Sequence, residues 1–267
     1  MRRANHQSNA CAFCRLVLKG YDKTMLDQIK KDLSQLSNPE KAKKLSGFFK
    51  TGKGQYGEGD IFLGIPVPEQ RKVAKRYLDL PLNDLQELLS SKIHEHRFTA
   101  LVILISKYRK AEKSGKEEIF SFYLKNTENI NNWELVDLSA PRIVGDHLVN
   151  KDRAILYKLA KSNSLWERRI SILSTFMFID NNDFEDALNI SELLLHDKHD
   201  LIHKAVGWAL REIGKRDQNA EERFLTKYCL QMPRTMLRYA IEKFDEKKRK
   251  FYLTQKKCTR SIIFKNY

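Results

Sequence analysis

The sequence predicts an all-α protein, on three observations. Glycine and proline are scarce, 11 and 6 in 267 residues, which disfavours the many tight turns of an all-β chain. No segment of useful length alternates like a half-buried strand, whereas residues 97–109 repeat Phe98, Leu101, Val102, Ile105 and Tyr108 at three- and four-residue steps. A longer unit also recurs. Arg97, Trp133, Arg169, Lys204 and Arg238 each open an apolar helical stretch and are spaced 36, 36, 35 and 34 residues apart. That period fits two helices plus turns, the unit of a HEAT-like α-solenoid. Equivalent residues of stacked repeats then project from one face and line a concave surface.

In chain order, residues 1–22 read as a weakly ordered basic extension, 23–250 as the helical domain and 251–267 as a basic tail. Asn38-Pro39-Glu40 and Pro66-Val67-Pro68-Glu69 are helix starts, with proline in the first turn and an acid beside it. Between them Gly47 to Gly64 interrupts the helical pattern with six of the eleven glycines. Gly52, Gly54 and Gly57 spell G-x-G-x-x-G, but a lysine-rich helical stretch precedes it where a dinucleotide site needs a strand, and no Gly-Lys-Ser/Thr closes a P-loop. The segment reads as a connector, or as a loop whose backbone amides and Lys50 and Lys53 touch phosphate.

Net charge is +15, from 49 basic and 34 acidic residues. Residues 1–20 hold four basic residues and 247–267 hold eight, with no acid in either. The two ends suit a polyanion, and a binding face in the middle of the chain has to come from local arrangement. One such arrangement is clear. Between about Leu201 and Lys215, Ile202, Val206, Ala209, Leu210 and Ile213 form an apolar stripe, while Lys204, Trp208, Arg211 and Lys215 fall at i, i+4, i+7 and i+11 on another. An indole among cations is a stacking or cation–π platform beside phosphate contacts; the alternative is a core tryptophan.

Trp133 and Asp137, four residues apart, share a side of a helix that Pro141 ends or kinks. An acid on a cationic face repels phosphate. It either stabilises positive charge developing on a sugar and orients a water, or it is a cap or salt-bridge partner. In Leu165-Trp166-Glu167-Arg168-Arg169, Arg169 turns toward the apolar side beside Leu173 and Phe176. A guanidinium there needs an anion, either a carboxylate of a neighbouring repeat or a phosphate.

Other chemistries find no frame. Cys11-x-x-Cys14 lacks a second ligand pair, and Cys229 and Cys258 lie 29 residues apart, so no metal site is expected. The histidines show no H-E-x-x-H spacing and no triad pattern, and read as surface or capping residues. Cysteine usage gives no disulfide framework, no apolar run reaches membrane-span length and no secretory leader opens the chain, which points to an intracellular, cytoplasmic protein.

These segments resemble one family, the AlkD-like DNA alkylation repair glycosylases. The resemblance is carried by FFKTGKGQYGEGDIFLGIPVP (48–68), NNWELVDLSAPRIVGD (131–146), LWERRISIL (165–173), HKAVGWALREIGK (203–215) and MPRTMLRYAIEKF (232–244). It implies an α-α superhelix holding duplex DNA in a basic concave cleft, and excision of N3- and N7-alkylated purines such as 3-methyladenine and 7-methylguanine. Asp137 matches the family's catalytic aspartate, Trp133 and Trp208 its cleft tryptophans, and Arg169 its backbone-contacting arginine. Lys204, Arg211, Lys215 and Arg238, with Lys50 and Lys53, would then grip phosphates. The implied mechanism needs no metal, no cofactor and no lyase step, and a repeat solenoid of this kind needs no partner, so a monomer is expected. Two other functions stay open: a catalytically silent HEAT-like protein binding damaged or branched DNA, and a protein-interaction scaffold.

Overall fold

The sequence favours helices wherever polar starts and apolar three- and four-residue steps coincide, and a computed structural model bears this out. It describes residues 25–255; the Cys11/Cys14 extension, Cys258 and the tail beyond 255 lie outside them. The described residues are helical with short connectors apart from the long loop between residues 48 and 67, and their one β feature is an isolated bridge between Ile61 and Ile93. The chain divides into two units, one ending at Glu112 and one beginning at Lys113.

The first unit comprises α1 (25–35), α2 (Pro39–Phe48), α3 (Val67–Arg76), α4 (Leu82–Leu89) and α5 (His94–Lys110). The starts of α2 and α3 sit where the proline-acid signals place them, and the Asn38 side chain caps α2 by accepting from the Lys41 N–H at 3.0 Å. The α2 helix buries none of its residues. By contrast α5 is covered on nearly every side, not on one stripe as the 97–109 pattern suggests. Two of its charged residues, Glu95 and Arg97, go inside with partners. Buried Glu95 accepts from the N–H groups of Leu63 and Gly64 at 2.9 and 2.8 Å, and Arg97 pairs with Asp60 at 2.7 Å. Gly64 lies at φ +84°, and a Cβ there would meet the Asn38 carbonyl at 2.3 Å. Glycine is therefore required where the loop passes under α2.

The second unit comprises α6 (Lys113–Lys125), α7 (Trp133–Ala140), α8 (Asp146–Leu148), α9 (Ala154–Ala160), α10 (Leu165–Ser174), α11 (Phe176–Asp180), α12 (Glu185–Leu193), α13 (Asp200–Gly214), α14 (Gln218–Tyr228), α15 (Arg234–Ala240) and α16 (Glu246–Thr254). As the sequence leads one to expect, α7 ends at Pro141, its C-cap; the chain then runs through a π-helical turn, Pro141–Gly145, into α8. Packing follows the repeat. In one row α7 meets α10, α10 meets α13 and α13 meets α15, while α9, α12 and α14 pack against that row. Gly207 lets α13 and α15 close up: a Cβ there would lie 2.5 Å from the Met236 carbonyl. The five leading residues of the repeat fall in α5, α7, α10, α13 and α15. Their surroundings differ, since Arg97 and Arg169 are buried and Arg238 is exposed.

The candidate active site

The site is built on α7, α10 and α13. Asn132 caps α7, its side chain accepting from the Glu134 N–H at 3.1 Å. Trp133 thus sits at the first helical position and Asp137 one turn later, on the same side. Both are half-buried. On α10, buried Arg169 reaches back to α7. Its Nε donates to Asp137 Oδ1 and its Nη2 to Oδ2, both at 2.7 Å. Its Nη1 donates to the Leu201 carbonyl in the first turn of α13. One guanidinium therefore ties three helices together. The sequence leaves a carboxylate or a phosphate as the partner of Arg169, and here the carboxylate takes the place.

A fork-to-fork pair of this kind fixes the plane of the carboxylate. It also leaves about two of the four lone-pair positions of Asp137 free to accept from a water or face a cation. The Asp137 side chain keeps 19% of its surface open, against 6% for Arg169, so access comes from the Asp137 side.

The α13 helix carries its two stripes as the spacing predicts: Ile202, Val206, Ala209, Leu210 and Ile213 are buried, and Lys204, Trp208, Arg211 and Lys215 are not. The polar stripe is less positive than the cations alone suggest. Lys204 pairs with Asp200 at 2.8 Å, Lys215 with Glu212 at 2.7 Å, and Arg211 with Glu242. The Trp208 indole N–H donates to Glu212 Oε1 at 3.0 Å, and its ring meets Phe176 edge-to-face with centroids 4.7 Å apart. Glu212 went unnoticed in the sequence, although its i+4 step from Trp208 is a readable signal. Arg238, on α15, is exposed and makes no ion pair among the described residues.

Lys50 and Lys53 belong to the first unit. Both are exposed, and Lys50 takes the left-handed conformation at φ +53°. The loop amides offered for phosphate are largely engaged within the loop. Gly52 N–H donates to the Gln55 side chain at 3.1 Å, Gly54 N–H to Glu58 at 2.8 Å and Gly57 N–H to the Lys50 carbonyl at 3.2 Å. The lysine side chains, not the amides, are what this loop can present to a phosphate.

The histidines also need correction. His199 does cap a helix, α13, by accepting from the Leu201 N–H at 3.1 Å, but His94, His96 and His147 are buried. His147 stacks on Phe120 at 4.1 Å, and burial among Lys30 and Arg97 pushes His96 down to about 4. Behind α13, buried Glu221 packs against Gly214, and burial raises its carboxyl to about 8. Among the described residues no cluster of histidine, cysteine, aspartate and glutamate has the makings of a metal site.

Residues 29–244 match the family described as "DNA alkylation repair enzyme". Among solved structures, the chain is similar to a "Predicted DNA alkylation repair enzyme" from Enterococcus faecalis at 18% identity, covering 79% of this chain and 97% of that one, with a TM-score of 0.61. It is also similar to AlkD2 from Streptococcus mutans at 18% identity, covering 84% and 99%, with a TM-score of 0.53. At such identities the likeness speaks for the helical-repeat fold. No curated protein matches the chain.

Proposed function

The chain belongs to the DNA alkylation repair enzyme family, and on that premise we propose that it is a monomeric, monofunctional DNA glycosylase that hydrolyses the N-glycosidic bond of N3- and N7-alkylated purines in duplex DNA. The observation that carries the proposal is Asp137: a partly open carboxylate, one turn from an indole on its own helix and held in a fixed plane by Arg169.

The chemistry follows from charge. A purine alkylated at N3 or N7 is already cationic and leaves without strong acid catalysis. The bond breaks toward an oxocarbenium-like deoxyribose, as in sugar hydrolysis. Asp137 faces that developing cation and accepts a proton from the attacking water. Arg169 keeps the carboxylate from rotating away, so its role is orientation as well as charge. The indole faces of Trp133 and Trp208 hold the cationic nucleotide, each for about 0.5–2 kcal/mol. Lys204, Arg211, Lys215 and Arg238 on the second unit, and Lys50 and Lys53 on the first, contact phosphates. For the paired ones, phosphate replaces an existing carboxylate partner.

The Asp137–Arg169 pair also suits a second reading, in which it merely ties α7 to α10 in a catalytically silent DNA-binding protein. Incubating the protein with methylated duplex DNA and measuring free 7-methylguanine and 3-methyladenine separates the two. Release above the spontaneous rate supports the glycosylase. Binding that weakens steeply with salt but yields no free base supports the silent protein. Neither binding nor release leaves the scaffold.

A further inference from the structure

We infer that Glu212 is a positioning residue for Trp208, holding the indole that receives the cationic purine; this rests on the glycosylase reading.

An indole that is only partly buried keeps rotational freedom unless its N–H is tied. Glu212 lies one turn beyond Trp208, within reach along the helix surface, and takes the N–H at 3.0 Å. Phe176 meets the ring edge-to-face at an interplanar angle of 73°. A hydrogen bond at one edge and an aromatic contact together fix the plane of the ring. Glu212 is itself held. Lys215 donates to the same Oε1 at 2.7 Å, Arg216 lies 3.8 Å from Oε2, and the side chain is 17% exposed. The carboxylate thus sits at the crossing of three cationic side chains, since Arg211 Nε is 3.9 Å away.

By accepting the indole N–H, the Glu212 side-chain oxygen polarises the ring toward a more negative face, which strengthens its hold on a cationic base. Alanine at 212 removes the acceptor and frees the ring; glutamine keeps an acceptor oxygen in the same place.

The test is single-turnover base release from methylated duplex at saturating protein, for wild type, Glu212→Ala and Glu212→Gln. Beside it, the 19F spectrum of the full chain labelled with 5-fluorotryptophan is recorded, the Trp208 resonance being identified by its loss in Trp208→Phe. Glu212→Ala is expected to slow release about tenfold, as misplaced groups do, and to shift or broaden the Trp208 resonance. Glu212→Gln is expected to stay within about threefold of wild type, the span of one modest hydrogen bond, and to keep that resonance in place. Wild-type release by Glu212→Ala, or a glutamine variant as slow as the alanine one, overturns the inference. So does a Trp208 resonance that Glu212→Ala leaves untouched. A wild-type protein that releases no base instead overturns the glycosylase reading, and the 19F spectra still decide whether Glu212 orders the indole.

Discussion

Two basic regions of this protein are built on opposite plans. On α7, α10 and α13 the cations are already paired: Arg169 with Asp137, Lys204 with Asp200, Arg211 with Glu242 and Lys215 with Glu212. On α2 and the loop after it, exposed Lys41, Lys43, Lys44, Lys50 and Lys53 make no ion pair among the described residues. The helix that carries three of these lysines buries nothing, and it ends on Phe48, which is 63% exposed. A paired cation has a fixed position and costs something to redirect. A free one contributes charge without geometry. The first plan suits a site that must hold atoms in place, the second a surface that gathers a polyanion from solution.

The comparison breaks first at Arg169. Replacing it with leucine leaves the Asp137 carboxylate half-buried without its partner and the Leu201 carbonyl without its donor. Urea denaturation should show a loss of about 3 kcal/mol, with base release abolished. Replacing Lys44, Lys50 and Lys53 together with glutamine should change stability by no more than about 0.5 kcal/mol, as surface substitutions do. Its effect belongs to DNA binding, where the slope of log K against log salt should fall by up to about 2.7 if each lysine meets a phosphate. An equal stability loss in both variants would erase the distinction between the regions.

A smaller effect sharpens it. Glu242→Gln releases Arg211 from its partner and should tighten binding to undamaged duplex by about two- to fivefold, the worth of an exposed ion pair. Unchanged affinity in a titration at low salt would mean that pairing on α13 does not restrain phosphate binding.

A further effect distinguishes the two units by pH. His96, in the first unit, has a folded value of about 4, below its usual 6.5. Between those values the unfolded chain binds the proton and the folded one does not, so stability falls as pH drops from 6.5 to 4. Glu221, in the second unit, has a folded value of about 8, above its usual 4.5. There the folded chain holds the proton, and stability falls as pH rises from 4.5 to 8. Glu221→Gln should flatten the alkaline side of a plot of melting temperature against pH and leave the acid side in place. An alkaline side that Glu221→Gln leaves unchanged would contradict the assignment of that slope to Glu221.

Local signals in the sequence were enough for several of the helices. Proline beside an acid marked α2 and α3, and the apolar steps from Ile202 to Ile213 marked the buried stripe of α13. The recurring interval of 34 to 36 residues carried further, since its leading residues all fell on helices. What failed was what depends on partners far along the chain. Arg169 meets Asp137 across 32 residues, and no periodicity names which anion fills that role. The one-sided reading of α5 failed because Glu95 and Arg97 look solvent-facing until Leu63, Gly64 and Asp60 arrive to satisfy them. For the Gly47–Gly64 loop the sequence left a connector and a phosphate-touching loop both open, because it does not reveal that the amides serve the loop's own carbonyls and side chains. Glu212 was missed because an acid among cations reads as charge balance rather than as a hydrogen-bond acceptor for Trp208.

The central claim concerns Asp137, and single-turnover release of 7-methylguanine from methylated duplex tests it most directly. Asn at 137 keeps the size of the side chain and removes its charge. The account predicts that Asp137→Asn binds the duplex as wild type does but releases base about a hundredfold more slowly. Release at the wild-type rate would contradict it, and would leave the Asp137–Arg169 pair as a brace between α7 and α10.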